Sequence, residues 1–137
     1  MAVVKELIRT EQDGTISFGD YTLPTKTKKA DFEHDGDLYK IKTFREITKL
    51  ERNGMFVYES VPGTSVHNFN AAQQEVSFEV EGPEDAQITV ELEAGSEYKI
   101  YINDKDAGQM KTNLGGKLPI SVELGENSKA QIREEKL

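Results

Sequence analysis

The chain contains two histidines, and the first lies where carboxylates could support metal or acid–base chemistry. His34 is in the acidic segment 31–37, whose side chains could polarise the imidazole or bind a hard cation. The segment has no second His and completes no calcium-loop spacing, so a solvated acidic turn is the favoured interpretation. Asp104 and Asp106 have the spacing that begins a calcium loop, but its other ligands are missing and a hairpin loop explains both residues. The sequence predicts no metal site and no cofactor.

A hydrolase triad would have to be built around His67, with Ser60 or Ser65 as the nucleophile and Glu59 as the acid. No Gly-x-Ser-x-Gly elbow occurs. Ser65 and His67 are two residues apart, so a strand would point both to one face without a third group to orient the imidazole. Paired carboxylates carry little information in a chain with 25 Asp and Glu residues. We therefore predict no catalytic residues and no enzymatic activity.

Aromatic side chains are the best candidates for a binding surface. Phe56 and Tyr58 are two residues apart and should share one face of a strand. Tyr101 alternates with the apolar residues of its own strand and should therefore lie on the opposite, solvent-facing side. Exposed aromatic rings on a sheet can stack on sugars or anchor a partner protein. Packing within the protein or against a second subunit is the alternative role.

Composition excludes several classes of protein. The 137 residues carry a net charge of -8, which disfavours nucleic acid and anionic lipid as partners. No apolar run approaches the roughly 20 residues of a membrane helix, and residues 1–10 lack the apolar centre of a signal peptide. There is no Cys, so disulfides and thiolate metal sites are excluded. We expect a cytoplasmic protein.

Period-two alternation of apolar and polar residues is clearest in the second half of the chain and predicts antiparallel strands. The predicted strands cover 76–80, 86–92, 98–102, 118–124 and a segment that begins with Ala130 and Ile132. Short turns separate them, which favours an immunoglobulin-like sandwich. Pro119 cannot donate to a strand ladder, so its strand should lie at a sheet edge.

The first half alternates less regularly. The Asp-Gly and Asn-Gly pairs at 13–14 and 53–54 favour hairpin turns. We predict a return strand in 15–23, a long connection over 24–37, strands over 38–44, 46–52 and 55–61, and a loop over 62–75. A helix over 44–52 is the alternative to the strand over 46–52, because apolar residues recur there at three-residue spacing.

The charge distribution suggests where the chain divides. Residues 1–70 contain 10 basic and 11 acidic residues, whereas residues 71–137 contain 7 basic and 14 acidic residues. Together with the predicted loop, this shift places a boundary between an N-terminal β lobe at 1–73 and an immunoglobulin-like lobe at 74–137.

Two resemblances accompany these patterns. A Tyr-x-Ile-x-Ile strand at 98–102 runs into an Asp-rich hairpin, and a Thr-Asn turn at 112–113 opens a strand that closes on Leu-Gly. On these features, residues 85–133 resemble the C-terminal immunoglobulin-like module of polysaccharide-active enzymes. The whole chain also resembles small bacterial proteins that are often labelled endosialidases, and this resemblance is based on the stretches 11–14, 17–22 and 50–63.

The endosialidase label implies glycan cleavage. Sialidases, however, carry a repeated Ser-x-Asp-x-Gly-x-x-Trp box, and this chain has no Trp. The chain is also too short for a six-bladed propeller. We therefore expect an all-β, non-enzymatic module that binds a partner protein or assembles with further copies of itself. A carbohydrate-binding accessory domain is the alternative, and a small glycan-active hydrolase is a more distant one.

Overall fold

The computed structural model describes residues 3–72, 74–125 and 128–137, and within these it is built from thirteen β-strands. The strands are β1 (Ile8–Thr10), β2 (Ile16–Phe18), β3 (Thr27–His34), β4 (Asp37–Phe44), β5 (Ile47–Arg52), β6 (Met55–Val61), β7 (Ser65–Ala71), β8 (Glu75–Gly82), β9 (Ala86–Glu91), β10 (Glu97–Ile102), β11 (Lys105–Lys111), β12 (Lys117–Val122) and β13 (Ser128–Lys136). Among these residues no helix is long and apolar enough to cross a membrane.

The strands form two antiparallel sheets that pack as a β-sandwich, which confirms the predicted all-β class. The seven-stranded sheet has the order β1-β2-β7-β8-β13-β10-β11, and the six-stranded sheet has the order β12-β9-β6-β5-β4-β3. One continuous core lies between them. At its centre, Tyr58 packs edge-on against Phe18, Phe69 and Phe78, with ring centroids 5.3, 6.4 and 5.7 Å away.

The two predicted lobes, 1–73 and 74–137, do not exist as separate units. β7 pairs with β8 in one sheet, and β6 pairs with β9 in the other, so each sheet combines strands from both segments. The shared core includes Phe18 and Tyr58 from the first segment and Phe78 and Ile100 from the second. The charge shift near residue 70 therefore reflects surface composition and marks no boundary between domains.

The predicted strands of the second half are all present as β8, β9, β10, β12 and β13. Pro119 lies in β12, which is an edge strand as predicted. β11 was not expected, because every one of its residues is exposed and its sequence does not alternate. The two carboxylates with calcium-loop spacing therefore lie in different elements. Asp104 is in the turn before β11, at a φ of 64°, and Asp106 is on the strand.

In the first half, the hairpin of β5 and β6 around Asn53-Gly54 is confirmed, and β5 takes the place of the alternative helix. Two predictions are wrong. Residues 24–37 contain β3, an edge strand whose polar residues face water and whose register shifts between Lys29 and Phe32. Residues 62–75 contain β7, whose alternation is obscured by a register shift between His67 and Asn70. In both strands an irregular register hides the period of two.

Candidate functional site

Four lysines form a compact basic group on the outer surface of the six-stranded sheet. The lysine face, as we call it, consists of Lys28 of β3, Lys40 and Lys42 of β4, and Lys49 of β5, and with Glu51 it surrounds a cavity of about 60 Å³. Lys42 is directly opposite Lys28 on one side and Lys49 on the other. Three lysines thus stand side by side on three neighbouring strands.

Strand alternation explains why these lysines point outward. Ile41 is fully buried between Lys40 and Lys42, and Leu50 is fully buried next to Lys49. Because successive side chains of a strand point to opposite faces, burying these apolar residues sends the lysines to the outer face. The register then sets their separation, since neighbouring strands lie only about 4.8 Å apart.

This arrangement is electrostatically unfavourable. Partial burial, and then the charges of Lys26, Lys49 and Lys28, lower the pKa of the Lys42 ammonium from its usual value. Like charges directly opposite each other on adjacent strands destabilise a sheet. Among the described residues, the only ion pair of the group joins Lys49 to Glu51, at 3.7 Å. A negative charge placed beside these lysines would relieve this repulsion.

Phe56 extends the lysine face along the same outer surface. Its ring is half-buried, and the Nζ atom of Lys117 lies 4.5 Å from the ring centroid. Glu59 of β6 lies directly opposite Lys49 in the strand register, at the border of the basic group. Phe56 thus contributes apolar surface with a fifth cation beside it.

The prediction that Tyr58 shares a face with Phe56 is wrong. Tyr58 is opposite Leu50, but Phe56 is opposite Glu51, so Val57 is an extra residue in β6 and forms a β-bulge. The bulge turns Tyr58 into the core, where it is completely buried and its hydroxyl hydrogen-bonds with that of Thr64 at 2.8 Å. Tyr58 therefore cannot contact a ligand in the folded protein.

Tyr101 lies on the outer side of the seven-stranded sheet, on the opposite side of the molecule from the lysine face. Its ring is covered by the guanidinium of Arg133, 4.0 Å from the ring centroid, and flanked by the ammonium of Lys99 at 5.5 Å. Arg133 is in turn paired with Glu135, and Lys99 with Asp106. A stacking sugar would have to displace Arg133 from this ring.

The structure does not assemble the hydrolase triad considered from the sequence. The Ser60 hydroxyl hydrogen-bonds with that of Thr64 at 2.7 Å, and the Ser65 hydroxyl donates to the carbonyl of Gly19 at 2.7 Å. His67 lies on the seven-stranded sheet, where its Nε2 atom is 3.5 Å from a carboxylate oxygen of Glu81 without hydrogen-bond geometry. Glu59 lies on the other sheet.

The described residues contain no group of three or more His, Asp or Glu side chains arranged to hold a metal ion. Asp106 instead accepts a hydrogen bond from the amide of Gly108 at 2.8 Å. His34 packs against Tyr39, and its Nδ1 atom shares a hydrogen bond of 3.0 Å with the hydroxyl of Thr10. These contacts hold His34 at one end of the space between the sheets.

Sequence reasoning missed the lysine face because one of its strands was taken for a connection. The only signal available was the alternation of Lys40 and Lys42 around Ile41. Comparison of the chain with protein-family models, with curated proteins and with solved structures finds no match.

Proposed function

We propose that the protein is a non-enzymatic binding module and that its lysine face binds an acidic segment of a partner protein. The observation that carries this proposal is the row of Lys28, Lys42 and Lys49 on three adjacent strands. A protein with net charge -8 that places like charges side by side loses stability for no structural gain. Binding of an anionic partner would explain this loss of stability, because complementary charge speeds association and selects the partner.

Self-assembly through sheet edges is less well supported by the geometry. Each of the four edge strands carries a feature that opposes further pairing. β1 has only three residues, β12 contains Pro119, and β3 and β11 each have a shifted register. β11 in addition begins and ends with lysine.

An acidic glycan is the second candidate, and Phe56 favours it. The ring lies on the same outer surface as the lysines and could contact a sugar while the lysines bind its carboxylates. The resemblance of residues 85–133 to immunoglobulin-like modules of polysaccharide-active enzymes also supports this candidate. Both candidates require the same basic group and differ in the chemistry of the bound chain.

A triple variant tests the proposal. Changing Lys28, Lys42 and Lys49 to Gln removes three charges from the site, and a surface charge pair contributes roughly 0.5–1 kcal/mol. We expect binding of poly-L-glutamate, measured by biolayer interferometry at low salt, to weaken at least tenfold. Polygalacturonate, as the acidic glycan, and dextran, as the uncharged one, are measured in parallel.

The matched control changes Lys105, Lys111 and Lys129 to Gln, which alters net charge equally at positions away from the lysine face. This control should bind within about twofold of the original protein. Equal losses in the two variants would show that only net charge matters and would overturn the site. Tighter binding of polygalacturonate than of poly-L-glutamate would select the glycan, and absence of binding to either polyanion would refute the proposal. A light-scattering mass well above 15.4 kDa would instead support self-assembly.

A further inference from the structure

Several ionisable side chains face the interior of the sandwich at one end of the six-stranded sheet. His34 is paired with Asp37, and Tyr39 is paired with Arg52. Asp37 and Tyr39 alternate toward the same side as the fully buried Ile41. Residues opposite one another on adjacent strands share a face, so His34 and Arg52 lie on this side as well, with His34 half-buried and Arg52 exposed at the end of its strand. His34, Asp37 and Arg52 are the terminal residues of β3, β4 and β5, so the space between the sheets is polar at this end.

These side chains form one wall of a cavity of about 180 Å³ between the two sheets. Ile16 and Phe69 of the seven-stranded sheet provide an apolar surface across from them. Asn70, also of the seven-stranded sheet, lines the cavity as well. A second cavity of about 460 Å³ shares Arg52 and Ala71 with the first. Arg52 therefore lies where two inter-sheet cavities meet.

Charge in this cleft is held in both signs and is only partly compensated. Arg52 makes no ion pair with any described residue. Asp37 accepts a hydrogen bond of 2.9 Å from the side-chain amide of Asn53, and Asp35 lies 3.3 Å from the Nε2 atom of His34. A guanidinium is always charged and binds carboxylates through two parallel hydrogen bonds. The guanidinium of Arg52 is thus available to bind the carboxylate of a ligand.

We propose that this cleft is a second binding site, specific for a small zwitterion of the amino-acid class. Arg52 binds the carboxylate of the ligand, Asp35 and Asp37 accept hydrogen bonds from its ammonium group, and Ile16 and Phe69 contact its apolar part. The cavity is smaller than the roughly 300–1,000 Å³ typical for drug-sized molecules, which agrees with a ligand of this size. No bond is made or broken.

Three matched probes test the charge requirement. L-Alanine carries both charges, propionate carries only the carboxylate, and ethylammonium carries only the ammonium. L-Glutamate and L-leucine extend the series in side-chain size and charge. Amide chemical shifts of the isotopically labelled protein should change around Tyr39 and Phe69 with at least one amino acid. Propionate and ethylammonium should bind at least about tenfold more weakly, since each leaves one side of the cleft without its charge-assisted hydrogen bonds.

Two variants locate the site. Arg52→Gln should weaken amino-acid binding about tenfold or more, whereas Arg45→Gln, at the opposite end of the hairpin of β4 and β5, should leave it unchanged. The amide spectrum of each variant verifies that it is folded. Equal effects of the two substitutions, equal affinity for propionate and L-alanine, or no shift with any amino acid would overturn the proposal. The triple lysine variant should bind amino acids normally, so failure of the lysine face and failure of this cleft are distinguishable.

Discussion

The two sheets differ in how they hold one unpaired ionisable group each, Lys42 and Glu134. On the outer face of the six-stranded sheet, Lys42 has no ion pair among the described residues and stands between Lys28 and Lys49, where water screens it and a ligand can reach it. On the outer face of the seven-stranded sheet, Arg133 is paired with Glu135 and Lys99 with Asp106. Glu134 of this sheet is unpaired among the described residues, lies on the inner face and is completely buried.

This difference separates charge available for binding from charge that the fold suppresses. Neither carboxylate oxygen of Glu134 has a hydrogen-bond partner among the described residues, and burial raises the pKa of this carboxyl to about 8. At neutral pH Glu134 is therefore mostly protonated and uncharged. Lys42 keeps its charge because it is only partly buried. Exposure thus decides which of the two unpaired groups can attract a partner.

The largest effect should come from Glu134. The unfolded chain loses this proton near the ordinary Glu pKa of 4.5, whereas the folded protein retains it to about pH 8. Stability from this group should therefore be complete below pH 4.5 and decline up to about pH 8, by at most about 1.4 kcal/mol per pH unit. Glu134→Gln should remove that decline, so that the variant is several kcal/mol more stable than the original at pH 8.

Urea unfolding at pH 5, 6.5 and 8 measures this difference. The two proteins should have similar stability at pH 5 and diverge as the pH rises. Parallel stability profiles would show that Glu134 is ionised in the folded state or has the same pKa in both states. In that case the contrast between the inner and outer faces would not hold.

A smaller effect of opposite sign is expected on the paired outer face. Arg133→Gln removes the stacking on Tyr101 and the ion pair with Glu135. These contacts are partly exposed, so we expect a loss of about 0.5–1 kcal/mol in the free energy of unfolding. Chemical denaturation measures it, with Arg45→Gln as the control. A stabilised Arg133→Gln protein would mean that pairing on this face is not favourable.

The lysine face should respond in the other direction. Lys42→Gln removes the central charge of the row and should raise the free energy of unfolding by about 0.2–1 kcal/mol while it weakens polyanion binding. The same denaturation experiment checks this, with Lys105→Gln as a charge-matched control. Destabilisation by Lys42→Gln would indicate that the lysine has a structural role.

Salt should produce the smallest change. Raising NaCl from 0.05 to about 1 M shortens the screening length to about 3 Å and weakens the repulsion among the lysines. The stability advantage of Lys42→Gln over the original protein should therefore shrink by a few tenths of a kcal/mol. An advantage that is independent of salt would show that it does not arise from charge repulsion.

Local patterns were sufficient wherever a strand alternates without interruption. Ile88, Ile100 and Ile120 are buried as their period of two indicates, and the Asn53-Gly54 turn joins the predicted strands. Alternation indicates the wrong face where one extra residue interrupts the period of two. Val57 separates Phe56 from Tyr58 by a bulge, and a single bulge reverses the face of every residue beyond it.

The sequence by itself determined the all-β class, most strands of the second half and the edge position of Pro119. Both signals are local to one strand, since one is the alternation of its residues and the other is the absence of a backbone N–H donor at proline. Only the tertiary structure decided which residues meet. The shared core, the row of Lys28, Lys42 and Lys49, and the cleft beside Arg52 depend on strand order and register. These are set by long-range pairing between distant segments, and no local pattern specifies which strand will lie beside another.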